Sequence, residues 1–134
     1  MLDRETLELV RTAVESSLQK KGFEIVVLDV AELSSFADSF VLCSAANVRQ
    51  LRAIAEEIEA ALAKGGHRPL HVEGLRSSEW VLLDYGHVIV HLMTEEKRSY
   101  YGLDGLWGDA PRVSADAMGL SDTRLERDGS LEGR

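Results

Sequence analysis

Glu79-Trp80-Val81-Leu82-Leu83-Asp84-Tyr85-Gly86-His87-Val88-Ile89-Val90-His91-Leu92 reads as two β-rich runs of six residues joined by a Tyr-Gly step. A two-residue loop containing glycine suits a tight hairpin turn. With Tyr85 and Gly86 as that loop, Asp84 stands opposite His87, Leu82 opposite Ile89, and Trp80 opposite His91. Side chains alternate along a strand, so these six residues share one face. The other face carries Val81, Leu83, Val88, Val90 and Leu92, all aliphatic, and must be buried. The first face mixes an indole, two aliphatics, an acid and two histidines. It is too apolar for idle surface and too polar for a dry core. One reading is that a helix covers it and leaves the polar groups at the edges. The sharper reading is a protein-docking face with Trp80 as anchor, because an indole buries a large area and keeps a polar N–H for the rim. A register slip of one residue would exchange the two faces.

A sheet containing this hairpin needs partners, and the flanking sequence supplies them. Leu7, Val10, Val14 and Leu18 recur at helical spacing, predicting a helix from Asp3 to Gly22. Lys20-Lys21-Gly22 reads as its stop, with cations at the negative end and a glycine free to turn left-handed. Residues 23–30 are β-branched and nearly all apolar, which predicts a strand covered on both faces. A polar loop follows over 32–38, then a second strand over 39–44. Asn47 with Gln50 resembles a capping box opening a second helix, whose buried stripe is Leu51, Ile54, Ala55, Ile58 and Leu62. Gly65-Gly66 ends that helix, and residues 69–74 hold a third short strand. Thr94-Glu95-Glu96 can open a third helix running through Tyr100 and Tyr101 to Gly102. Residues 103–111 are punctuated by glycine and carry Trp107. The order α-β-β-α-β-β-β-α predicts an α/β (α+β) fold: a mixed five-stranded sheet with helices packed on it. Residues 1–111 form the single domain, and 112–134, where periodic burial fades, read as a flexible C-terminal tail.

The chain has 134 residues, with 15 Lys+Arg against 23 Asp+Glu, a formal net charge of −8. That balance argues against non-specific nucleic-acid binding, which needs clustered cations to displace counterions. It suits a basic protein partner better. No apolar run is long enough for a membrane span, and the acidic start Met1-Leu2-Asp3-Arg4-Glu5 is unlike a signal peptide. The one cysteine, Cys43, can form no internal disulfide, which fits a reducing cytoplasm.

Catalytic patterns are missing. There is no phosphate-cradling glycine motif and no nucleophile elbow. His87 and His91, four apart on a strand, would lie roughly 13 Å from each other, too far to share an ion. His67 and His71 span a Gly/Pro-rich turn and are no better placed. The single E-x-E, Glu57 and Glu59, falls on the second helix, where the two side chains diverge. Cys43 alternates with apolar neighbours and reads as a packed small hydrophobe. No metal, cofactor or catalytic residue is expected.

Asp38-Ser39-Phe40-Val41-Leu42, Asn47-Val48-Arg49-Gln50, Val72-Glu73-Gly74, Trp80 to Gly86, Val88 to His91, Tyr100-Tyr101 and Leu106-Trp107-Gly108-Asp109-Ala110-Pro111 together carry a resemblance. Over about residues 7–113 the chain resembles the ribosomal silencing factor family, also called Iojap-like. The resemblance implies a mixed α/β domain similar to nucleotidyltransferases but without their activity. It implies binding to large-subunit ribosomal protein number fourteen on the large ribosomal subunit, at the face that meets the small subunit. Subunit joining is thereby obstructed and translation repressed when nutrients are scarce, and the free form is a homodimer. Carried over by position, the partner-binding region takes in Trp80, Leu82 and Asp84, with His91, Tyr100 and Tyr101 nearby. His87 and Ile89 join them through the shared hairpin face. Two positions depart from the family: it often has an acid where His87 stands, and Thr-Asp-Tyr or similar where Ala37-Asp38-Ser39 stands. Two other readings remain: a divergent nucleotidyltransferase-like enzyme, and a homodimeric structural module whose seam is the hairpin face.

Overall fold

The computed structural model describes residues 2–74, 78–101, 108 and 110–120. Its elements are α1 (Arg4–Gln19), β1 (Phe23–Asp29), β2 (Ser39–Ala45), α2 (Val48–Lys64), β3 (His71–Glu73), β4 (Trp80–Asp84), β5 (Val88–Thr94), α3 (Glu95–Tyr101) and α4 (Ala115–Met118). The five strands form one sheet in the order β1-β2-β5-β4-β3. β2 and β5 run parallel, and the other three pairings are antiparallel. The mixed five-stranded sheet with packed helices is the architecture expected from the pattern of elements. No described helix is long and apolar enough to cross a membrane.

Both long helices start where side-chain caps are available. The Asp3 carboxylate accepts from Thr6 N at 2.8 Å, and the Asn47 side chain accepts from Gln50 N at 2.8 Å. Gln50 does not close a capping box on Asn47 N; its side chain reaches one residue further back and across to α1. Its Oε1 accepts from Ala46 N, and its Nε2 donates to the carbonyls of Lys20 and Lys21. This ties the start of α2 to the end of α1, so the two helices enter the sheet as a pair. Their apolar stripes bury Leu9, Val10, Ala13, Val14 and Leu18 from α1, and Leu51, Ile54, Ala55, Ile58 and Leu62 from α2. Fully burying each valine, leucine or isoleucine among them stabilises the fold by about 1.5–3 kcal/mol.

Those helices cover one face of the sheet, meeting Ile25, Val27, Val41, Cys43, Val81, Leu83, Val88, Val90 and Leu92. The opposite face builds a smaller cluster from Val26, Leu28, Val30, Ala37, Phe40, Leu42, Ile89 and Ala110, with Leu82 packed against it. β1 is therefore covered on both sides, as its nearly continuous apolar run predicts.

Three expectations need correction. First, Gly22 is not the left-handed residue after α1. That conformation falls on Lys21, with φ +67°. Gly22 is required for close packing instead: a Cβ there would lie 2.6 Å from Cys43 Sγ and 3.0 Å from the Ser17 carbonyl oxygen. Second, packed structure does not end at residue 111. Asp29 N donates to Pro111 O, Val113 N donates to Val27 O, and Arg112 bridges Leu28. Val113, Met118 and Leu120 are buried in the main core. The free edge of β1 offers unpaired backbone groups, and this segment satisfies them. The buried Val113, Met118 and Leu120 follow neither a strand nor a helix period, so the sequence does not signal their burial. The expected tail can begin only after Leu120, and residues 121–134 lie outside the described residues. Third, the hairpin turn is displaced, as set out below.

Arg98 was also illegible. It sits on a short helix that reads as polar surface, yet it is only 6% exposed. Its guanidinium donates to the Glu24 carbonyl oxygen and, at 3.0 Å, to Ser44 Oγ. Glu24 has φ +49° at an irregularity in the β1–β2 ladder. The arginine thus fixes a bulge, where a carbonyl leaves the ladder and needs another donor.

Candidate functional site

The β4–β5 hairpin closes around Gly86 and His87 rather than Tyr85 and Gly86. Tyr85 N donates to Val88 O at 2.9 Å, and Asp84 Oδ1 accepts from Gly86 N at 2.7 Å. Gly86 has φ +90°, and His87 does not share the left-handed conformation. A glycine with positive φ at the first loop position is the requirement of a type II′ turn. The physical reason for the displacement is Tyr85. Its ring is buried in the helix-covered core, which a turn position would forbid. Burial and the nearby Glu59 carboxylate push its hydroxyl up to about 12.

The observed pairs are Asp84 with Ile89, Leu82 with His91, and Trp80 with Met93. The expected pairs Asp84–His87, Leu82–Ile89 and Trp80–His91 are each off by two residues. Because the pleat repeats every two residues, a shift of two leaves every side chain on its face. Trp80, Leu82, Asp84, Ile89 and His91 therefore do share one face. His87 does not; it stands in the turn, where its carbonyl accepts from Asp38 N and Ser39 N at 2.7 and 3.1 Å. Tyr100 and Tyr101 close α3, and their side chains lie outside the described residues, as do Leu106 and Trp107.

The shared face is graded from buried to open. On β5, Ile89, His91 and Met93 are buried. On β4, Trp80, Leu82 and Asp84 are half-buried. On β3, the register sets His71 beside Asp84 and Glu73 beside Leu82, and both are exposed. His71 Nε2 and Glu73 Oε1 lie 3.1 Å apart. From the middle of the sheet to its edge, the face passes from dry apolar contact, through an indole and a leucine, to charge. That is the anatomy of an interface: an aromatic-aliphatic centre with a polar rim. Asp84 has a second duty, since its carboxylate also caps the turn.

His91 is the most constrained polar group on this face. Its ring meets Phe40 edge-on, with centroids 5.1 Å apart, and tilts against Trp80 at 6.2 Å. Neither ring nitrogen has a hydrogen-bond partner among the described residues. Burial holds its pKa down at about 4, so the ring is neutral at ordinary pH. Sequence reasoning missed Phe40, Leu42, Met93, His71 and Glu73. Extending the second hairpin strand by one residue would have found Met93. The parallel β2–β5 pairing that brings Phe40 and Leu42 beside Ile89 and His91 has no local signal.

Reactive groups elsewhere do not converge. Cys43 is buried on the helix-covered face, and desolvation pushes its thiol up to about 12. Glu57 approaches Lys20 at 3.9 Å, whereas Glu59 turns toward the sheet, with its pKa raised by burial and by Glu56. The pair diverges as expected, although Glu59 is partly buried rather than wholly solvated. Among the described residues no three His, Cys, Asp or Glu side chains are grouped to hold a metal ion.

Known proteins share both this fold and this sequence. A protein from Chromobacterium violaceum, solved by crystallography, superposes with a TM-score of 0.73 at 32% identity, covering 80% of this chain and 88% of that one. A curated relative from Halalkalibacterium halodurans, named Ribosomal silencing factor RsfS, is 36% identical over 111 residues, or 83% of this chain and 95% of the relative. One of the same name from Bacillus subtilis is 36% identical over 108 residues, covering 81% and 92%. The family model described as "Ribosomal silencing factor during starvation" matches residues 3–131. The strip of Trp80, Leu82 and Asp84 beside a buried His91 thus belongs to a chain that is a member of the ribosomal silencing factor family.

Proposed function

We propose that this protein represses translation without catalysing a reaction. It binds the large ribosomal subunit through large-subunit ribosomal protein number fourteen. From there it sterically blocks joining of the small subunit when nutrients are limiting, in the cytoplasm. The observation that carries this reading is the half-open strip of Trp80, Leu82 and Asp84, on a sheet whose opposite face is sealed by α1 and α2. The names of the relatives supply the ribosome and the silencing. A net charge of −8 favours a basic ribosomal protein over ribosomal RNA as the direct contact.

Self-association is a second reading, and β3 favours it. This three-residue strand leaves one edge of the sheet without a strand partner among the described residues. A homodimer using the same strip would compete with the ribosome for it.

A photo-crosslinking amino acid in place of Leu82 tests the contact. Irradiation with large subunits is expected to give an adduct with protein number fourteen. Adducts confined to ribosomal RNA or to a different protein would contradict the assignment.

A further inference from the structure

Three large hydrophobic residues stand exposed among the described residues: Leu33 at 51%, Phe36 at 71% and Leu70 at 77%. All three lie at one end of the sheet, the end where β1 finishes, β2, β3 and β5 begin, and β4 turns into β5. Leu70 N donates to Asp84 O at 2.7 Å, and a Cβ on Gly86 would lie 3.3 Å from Leu70 Cδ1. Asp38, two residues after Phe36, is bonded to the His87 carbonyl at the tip of the same turn. From β2 across β5 and β4 to β3 is three strand spacings, so the two flanks stand about 14 Å apart.

The loop presenting Leu33 and Phe36 is held in shape. Leu33 N and Ser34 N both donate to Val30 O, at 2.9 and 2.8 Å, and Val30 N donates to Asp38 O. Ser34 Oγ accepts from Phe36 N and Ala37 N. Ala37, next to Phe36, is buried in the same cluster as Ile89, against which Leu82 packs. The exposed aromatic is therefore continuous with the Trp80 face through Ala37, Ile89 and Leu82. A fixed loop that exposes an aromatic side chain offers a preformed anchor, with little ordering left to do on binding.

Charge at this end selects the occupant. Asp3, Glu5, Asp29, Glu32, Asp38 and Asp84 stand in the segments that meet at this end, against Arg4, Lys64, Arg68 and Arg112, an excess of two acids. Asp3 caps α1 close enough to feel His87. A second copy docked on a two-fold axis would set this acidic rim against itself, whereas a basic surface would be attracted.

We infer that the turn end of the sheet is a second docking surface for a basic protein, anchored by Leu33 and Phe36 on one flank and by Leu70 on the other. It extends the Trp80 strip around the hairpin turn, and it rests on the reading of that strip as the ribosome-binding face.

The triple variant Leu33→Ser/Phe36→Ser/Leu70→Ser changes only exposed side chains, and its melting temperature should stay close to wild type. Phe36→Lys alone is the second variant, should the triple fail to fold. Each is titrated against purified large ribosomal subunits beside wild type and Trp80→Ala, with light scattering recording oligomeric state. Tenfold or greater weakening by the triple variant, or by Phe36→Lys in its place, supports the inference. Binding within twofold of wild type, while Trp80→Ala weakens it, overturns the inference and leaves the Trp80 reading standing. Loss of a dimer with unchanged subunit affinity would make a second copy the occupant and also overturn it. No binding by wild type would overturn both readings.

Discussion

Replacing Trp80 with alanine is expected to weaken binding to the large subunit by about 2–4 kcal/mol, roughly 30- to 1,000-fold, the range of an interfacial hot spot. The indole sits where the face passes from the buried His91 to the open edge, so a partner can complete its burial. Truncation removes that area and leaves a hole beside His91. The same change costs folding stability, because the ring is already half-buried in the free protein. About 2 kcal/mol is expected, less than the 3–5 kcal/mol of a fully buried aromatic. Circular dichroism and urea denaturation should therefore show a folded, somewhat weaker domain. Trp80→Phe keeps a ring against His91 and should retain most of the stability and part of the affinity. Co-sedimentation across a concentration series measures the binding. A folded Trp80→Ala variant that binds like wild type would remove Trp80 from the interface.

The second large effect is on stability against pH. His91 titrates near 6.5 when exposed in the unfolded chain and near 4 when buried in the fold. Between those values the unfolded state binds the extra proton, so stability rises with pH across the window. The contribution is complete above pH 6.5 and is lost as pH falls through 4. Its size is about 3 kcal/mol at most. Protonation would place a charge between Phe40 and Trp80 with no partner for either ring nitrogen among the described residues. Urea denaturation at several pH values from 7.5 to 4 should show the loss, and His91→Leu should flatten it within that window. Parallel curves for wild type and His91→Leu would mean that His91 is solvated or paired. The other described group with a lowered pKa and a clear cause is Asp3, held below 3.8 chiefly by its bond from Thr6 N, so its effect falls at lower pH.

Much of this was legible because it is local or periodic. The cap at Asn47, the buried stripes of α1 and α2, and the two faces of the hairpin all follow from spacings of three, four and two. The hairpin shows where that legibility stops. Its faces came out right although the turn was misplaced, because a shift of two residues preserves parity. The turn itself depended on Tyr85 finding room in a core built by distant α1 and α2. His87 was misassigned for the same reason: the spacing starts the second strand at His87, whereas the strand resumes one residue later, at Val88. Contacts between remote segments had no signal at all: Phe40 edge-on to His91 across a parallel pairing, Arg98 reaching back to Glu24, and residues 111–113 lining the edge of β1. Gly22 was recognised as special for the wrong reason. Its left-handed neighbour is Lys21, and the glycine is needed so that Cys43 and Ser17 can come close.

The central claim is that this chain acts by occupying the large subunit, with Trp80 at the centre of the contact. The most direct test is light scattering of subunit joining, with large subunits mixed first with the chain and then with small subunits. Wild type at saturation should slow or prevent joining, and Trp80→Ala at the same concentration should not. Wild type bound at full occupancy while the subunits join at their unhindered rate would contradict the account.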